Sequence, residues 1–259
     1  MMNFIHCFQS EWLKKKHTLA SWLVIVGGFF IPTILFIAQL VYNGRYLDNV
    51  KSPHFWEGTW NNSWNSMAMF LLPLGVVLVV SLITQLEYKN NTWKQLHTAP
   101  QLLTTIFFAK LAIILVMMLQ FFILFNVGIY LSGVLPGLFV RAASYPQEPI
   151  NYLFFLKQNI NYFVDCLPIV ALQYLLGLQF KNFMVSIAGG IALWLAAIIV
   201  LINSWKYMYV VPYIYSSLNY FDGIGRTFPG THIHSWAIGY FILFGVAGYV
   251  MYVTKKEKG

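Results

Sequence analysis

The sequence predicts an all-α polytopic membrane protein with six transmembrane helices. Three observations predict it. The chain of 259 residues is 59% hydrophobic and only 9% charged, whereas soluble domains carry about 25% charged residues. Its mean hydropathy is +0.64. Its apolar residues fall into long runs, six of them near the length needed to cross a membrane; a hydrocarbon core about 30 Å thick takes about 20 residues of helix. No Ser-, Pro- or Gly-rich linker and no repeat divides the chain, so a single membrane domain is expected over residues 1–259.

Residues 2–16 come first. In a helix, Phe4, Ile5, Phe8 and Trp12 share one face, and His6, Ser10 and Lys14 lie on another. The spacing suits a helix lying in the membrane interface, aromatic side down. Glu11, Trp12, Lys14 and Lys16 mark it, and Lys14–Lys16 sit near lipid phosphates. The alternative is a tail ending in a positive stop. Glu11 and the lysines precede the first apolar run and no small-residue cleavage site follows, so a cleaved leader is not expected.

Span one is expected at Leu19–Tyr42 with Pro32 inside, which membrane helices tolerate when neighbours re-satisfy the freed carbonyl. Residues 43–64 read as a polar loop whose Trp56, Trp60 and Trp64 suit the water–lipid boundary. Span two is expected at Asn65–Leu86, span three at Thr105–Gly133 and span four at Leu153–Phe180. Pro136, Pro146 and Pro149 make residues 134–152 a loop. Lys181-Asn182 makes a tight turn into span five, Phe183–Ser204. Residues 205–234, broken by Gly and Pro, read as a loop with short interfacial or re-entrant pieces before span six, Ser235–Val253.

Six spans put both termini and the even-numbered connections on one side. That side holds ten basic residues, Lys14, Lys15, Lys16, Lys89, Lys94, Lys110, Lys181, Lys255, Lys256 and Lys258, against six on the other. By the positive-inside rule both termini are cytoplasmic. The net charge of +8 is therefore read as headgroup-facing lysines. No nucleic-acid partner is expected, because the basic residues do not line one face of a soluble fold.

The residues that carry enzyme chemistry are missing from the pattern. There is no His-Glu-x-x-His and no Gly-x-Ser-x-Gly. There is no Gly-x-x-x-x-Gly-Lys-[Ser/Thr] phosphate loop, so ATP hydrolysis by that route must come from another subunit. His232 and His234 lack a third ligand and read as solvated loop histidines. Cys7 and Cys166 are too far apart in sequence to suggest a metal set or disulfide framework.

Intramembrane charge is costly and usually functional. Asp165 is the candidate, as a translocation residue or a charge at the outer boundary; Lys157, two turns earlier, could bridge it only loosely. In span five Ala188, Ala192 and Ala196 form a small-residue stripe that permits close helix packing, internal by default or else against another subunit.

The stretch Glu87–Lys110 is a polar island between two long uncharged runs. Trp93 and Leu96 are three apart, as on a short helix; Asn90, Asn91 and Thr92 suit its cap, and Pro100 ends it. Such a helix could fill a partner's groove. The same residues also fit an inter-span loop whose Trp93 dips into the interface.

The chain resembles the permeases of the ABC-2 type, and within them the six-span lantibiotic-immunity and bacitracin-export group. The likeness rests on Glu11-Trp12-Leu13-Lys14-Lys15-Lys16 with Trp22 in the first span. It rests also on Glu87, Thr92, Leu96, Thr98, Pro100 and Lys110 around the island, and on the six-span layout. It departs from that pattern at Asn91 and at Gln101-Leu102.

The resemblance implies an ABC-2 exporter-type (type V) transmembrane domain with a coupling helix at about residues 87–104. Glu87, Thr92, Trp93, Leu96, Thr98 and Pro100 would dock two copies of a cytoplasmic ABC ATPase. It further implies ATP and Mg on that partner with no cofactor bound by this chain, and a second permease chain as homo- or heterodimer. Export across a bacterial cytoplasmic membrane is the implied direction. Spans walled by aliphatic and aromatic residues suit an amphipathic or hydrophobic cargo, such as a peptide antibiotic or lipid. An ion- or proton-coupled carrier and a purely structural membrane subunit are the other classes.

Overall fold

A computed structural model of the protein describes residues 2–89, 102–139, 145–146, 148–180, 182–226 and 232–254. The helices are α1 (Met2–Lys15), α2 (Leu19–Val41), α3 (Asn43–Asn49), α4 (Phe55–Ser66) and α5 (Leu72–Lys89), then α6 (Leu103–Val134), α7 (Pro136–Phe139) and α8 (Tyr152–Gln179). α9 (Phe183–Ile202), α10 (Tyr215–Gly223) and α11 (Ile233–Thr254) complete the bundle. Six helical segments are long and apolar enough to cross a membrane, and no strand occurs among the described residues. The protein is an all-helical, multi-pass membrane protein.

Local chemistry starts the helices near the expected places. The Thr18 hydroxyl accepts from the Ser21 N–H at the head of α2. His17 has φ +63°, a left-handed residue that turns the chain between α1 and α2. Asn151 caps α8, and Asn182, the end of the expected tight turn, caps α9.

The centre is α5, α6 and α8. Val77, Val80 and Ile83 pack there with Ile113, Ile114 and Met117, and with Ile169, Val170 and Tyr174. α2, α9 and α11 lie outside and keep exposed apolar faces, such as Val26, Ile199 and Val246, as lipid-facing helices do.

Both described ends of the chain meet at one end of the bundle. Cys7 packs on Ile106 and Ala109, while Phe107 meets the rings of Tyr249 and Tyr252. We call this the terminal end.

Residues 43–64 correct the expected loop. They form α3 and α4, and α4 continues into α5, so the second crossing runs over Phe55–Leu86. Trp56, Trp60 and Trp64 are buried inside the bundle. Their four-residue spacing is a helix period: one face packs while Glu57, Asn62 and Asn65 point outward. The Trp64 ring stacks on Tyr162 with centroids 3.6 Å apart, and Phe125 meets it edge-on at 5.2 Å.

A π turn over Met67–Leu71 joins α4 to α5, with the Leu72 N–H bonded to Met67 O. Pro73 follows and has no N–H to return to the preceding turn. Neighbours supply the donors instead. Ser216 Oγ donates to Ala68 O at 2.7 Å and Trp194 Nε1 to Met69 O at 3.2 Å. This is how a membrane helix keeps a proline without orphaning carbonyls in lipid. Ser216 belongs to α10, whose Tyr215–Tyr220 are all buried. The 205–234 stretch thus supplies short inserted pieces, two of them 3-10 turns at Met208–Val210 and Pro212–Ile214.

Close approach fixes two more contacts. A Cβ on Gly128 would sit 2.8 Å from the Pro32 ring, and one on Gly177 would overlap Thr84. A polar seam crosses the centre, where Gln173 Nε2 donates to Ser81 Oγ at 2.7 Å and to Ser186 O at 2.8 Å.

Candidate functional site

Three places combine polar groups with an apolar bundle, and the terminal end is the first. α6 has 32 residues, about 48 Å at ~1.5 Å per residue, so it exceeds a 30 Å core by roughly 18 Å. α2 lies along its further part, with Gly28 at Leu124. α1 covers the beginning.

The contact face of α1 is Cys7, Glu11 and Lys15, all buried. Lys110 Nζ donates to Glu11 Oε2 at 3.0 Å, with side-chain exposures of 2% and 5%. Lys14 pairs with the other Glu11 oxygen. Lys15 Nζ donates to Gln120 Oε1 at 3.2 Å and lies 3.7 Å from the Trp12 ring centre. Burial alone pushes the Glu11 carboxyl upward, and the ammonium groups of Lys110 and Lys14 more than reverse that, so the net shift is down. Burial lowers Lys15.

The expected interfacial helix is therefore present as Met2–Lys15, with Lys16 just beyond it. Of its apolar face, Phe4, Ile5 and Trp12 stay exposed, while Phe8 packs in part against the core. The face that packs is the charged one, which spacing alone did not single out. Glu11 and Lys110 were both marked by the resemblance, but not as a pair.

Of the expected docking residues, Thr92, Trp93, Leu96, Thr98 and Pro100 lie outside the described residues, as does the Glu87 side chain. The helices that flank this stretch, α5 and α6, end and begin at Lys89 and Leu103.

The second place is Asp165. It is fully buried mid-way along α8, which corrects the picture of an acid in water at the boundary. Its bonded partner is not Lys157. His234 Nδ1 lies 2.9 Å from Asp165 Oδ1. His234, at the start of α11, is 41% exposed in its side chain, so it is not simply a solvated loop histidine. An acid placed in an apolar run needs a partner; that rule could have directed attention to a histidine at the head of another span.

The third place is a cavity at the end away from the termini. It measures about 610 Å³ and opens between α4, α6 and α8. Trp56, Trp60, Tyr130 and Phe155 line it with Asn126 and Asn159. Trp56 stacks on Tyr130, its indole N–H donates to Glu148 O at 3.1 Å, and its backbone N–H donates to Glu148 Oε2 at 3.2 Å. Sequence spacing gave no sign of this cavity, because its walls come from three separate helices.

The stripe Ala188, Ala192 and Ala196 is exposed on α9. The face of α9 that packs internally is Ser186, Gly190 and Ala197. Internal packing, the default expectation for the stripe, does not hold within this chain.

A family model described as ABC-2 family transporter protein matches residues 7–203, from α1 to just past the end of α9. No curated protein and no solved structure matched the chain.

Proposed function

The chain belongs to the ABC-2 transporter family, and from that premise we propose that it is the permease subunit of an exporter driven by a separate ATPase. Family membership makes it an ABC transporter membrane protein and implies an ABC ATPase partner in general terms. The finer reading is ours. Two ATPase copies grip the Glu87–Pro100 island from the cytoplasm, chiefly through Trp93 and Leu96, with Thr92 and Thr98 at the rim. Both termini are cytoplasmic. A second permease chain completes the membrane unit in a bacterial cytoplasmic membrane. The cargo is an amphipathic peptide antibiotic or a lipid, as in lantibiotic-immunity and bacitracin-export systems. ATP and Mg stay on the partner.

The observation that supports this most is the terminal end. α1 is held to the start of α6 by the buried Glu11–Lys110 pair at 3.0 Å, next to the island's own exit into α6. A push on the island would reach α6 and α1 as one body.

Co-purification tests it. An ABC ATPase subunit co-expressed with this chain is expected to remain bound in detergent, and Trp93→Ala with Leu96→Ala to release it and stop transport. Retention of both binding and transport in that double variant would refute the docking role.

The contact between buried Asp165 and partly exposed His234 favours a second reading, a proton- or ion-coupled carrier. That reading expects Asp165→Asn to abolish transport and an uncoupler to stop it at constant ATP. Transport that survives the uncoupler and stops on ATP depletion rules it out.

A further inference from the structure

The cavity between α4, α6 and α8 has a chemistry that narrows its ligand. Its volume of about 610 Å³ lies within the roughly 300–1,000 Å³ of small-ligand pockets. Asn126 Nδ2 donates to Phe122 O at 2.7 Å and to Asn159 Oδ1 at 2.8 Å. Asn159 Nδ2 donates to Phe155 O at 2.8 Å and to Asn126 Oδ1 at 3.0 Å. A backbone carbonyl only accepts, so both amides are oriented without ambiguity. Each NH2 has two protons, and both are used. Each Oδ1 has two lone pairs, and these bonds use one. The amide pair therefore offers the cavity acceptors and no donors.

The other walls agree. Trp60, Tyr130 and Phe155 present aromatic surface, which attracts cations through the ring quadrupole. No lining residue is charged, so an anion would find no positive group, only the Tyr130 and Tyr152 hydroxyls and the Trp60 N–H as neutral donors. Glu148 holds the Trp56 backbone N–H and adds negative charge beside that wall. Val127 and Leu156 line the cavity and are themselves well exposed on apolar helix surface, a path for an aliphatic tail.

We propose that this cavity binds the ammonium end of a cationic amphiphile, with the amine protons on the free lone pairs of Asn126 and Asn159 and the tail along Val127 and Leu156. The amine could come from an aminophospholipid or from a cationic amphiphile outside the membrane; the recognition chemistry is the same. The inference rests on the transporter reading only in making this ligand a substrate.

The test uses the full chain in phosphatidylcholine nanodiscs. 12-Bromododecylammonium should quench tryptophan fluorescence saturably, at least tenfold more potently than 12-bromododecanol. 12-Bromododecanoate should give only the linear quenching of lipid partitioning. Asn126→Leu with Asn159→Leu should weaken the ammonium at least tenfold. Val127→Phe, which fills space and leaves the amide pair alone, should do the same and covers a failure of the first variant to fold. Discs containing phosphatidylethanolamine should shift the ammonium curve if the lipid headgroup is the natural amine, and leave it unchanged if the amine comes from elsewhere. Equal quenching by all three probes, or wild-type binding in the folded variants, overturns the proposal. ATPase co-purification is scored on the same variants and should be unaffected, so a failed ligand and a failed permease reading give different results.

Discussion

Two acids carry most of what single residues reveal. Glu11 is buried against two ammonium groups, and its carboxyl titrates below the ordinary value of 4.5. A depressed carboxyl contributes stability that is present above the unfolded value and lost as pH falls through the folded one. Hydrogen-exchange protection of α1 should therefore hold from neutral pH down to the ordinary carboxylate range and fall only below it. Glu11→Gln should lower that protection already at neutral pH, by up to about 3 kcal/mol for a broken buried pair, and should remove the acid step. Asp165 and His234 touch at 2.9 Å. A thermal double-mutant cycle with Asp165→Ala and His234→Ala should show a coupling of about 0.5–3 kcal/mol; strictly additive losses would mean the contact is energetically idle. The sequence showed Asp165 as an oddity because charge in an apolar run is conspicuous. It did not show His234, because the partner is 69 residues away and sits where loop composition hides it.

Among the helices, spans were legible and their irregularities were not. Apolar runs of adequate length placed all six crossings, with ends within a few residues for α2, α8, α9 and α11, whereas the third crossing runs on through α7 to Phe139, into the expected loop. The second crossing was cut short because α4 is rich in Asn and Ser, and hydropathy treats such residues as loop. Its tryptophan period was visible, but it reads equally well as an interfacial belt until partners are known. Packing decides it, since Trp64 has no exposure and stacks on Tyr162. Trp64→Ala should cost about 3–5 kcal/mol, read as a drop in thermal stability. Trp64→Phe should recover much of it; equal damage from both would place the cost elsewhere. The π turn left no trace in composition. It depends on donors from α9 and α10, Trp194 and Ser216, and only three-dimensional adjacency reveals those.

On the scale of the whole molecule, membrane class and family were readable from composition and a few motif residues, whereas the cavity and the α1–α6 junction were not, since each gathers side chains from distant stretches. If α1 and α6 act as one body, tying them together should not matter. A disulfide between Cys7 and Ile106→Cys, in a Cys166→Ser background, should leave ATP-driven transport intact and raise thermal stability; a transport block would mean that α1 slides on α6 during the cycle. α6 is also the only described helix with one end in that junction and the other in the cavity wall: Lys110 lies near its start, and Asn126 and Tyr130 near its finish. Between Lys110 and Asn126 the rise is about 24 Å of unbroken helix at 1.5 Å per residue. A rod of that kind, gripped where it overhangs the bilayer, behaves as a seesaw. On the proposed docking, a push on that overhang would swing Asn126 away from Asn159 and part the mutual amide clasp.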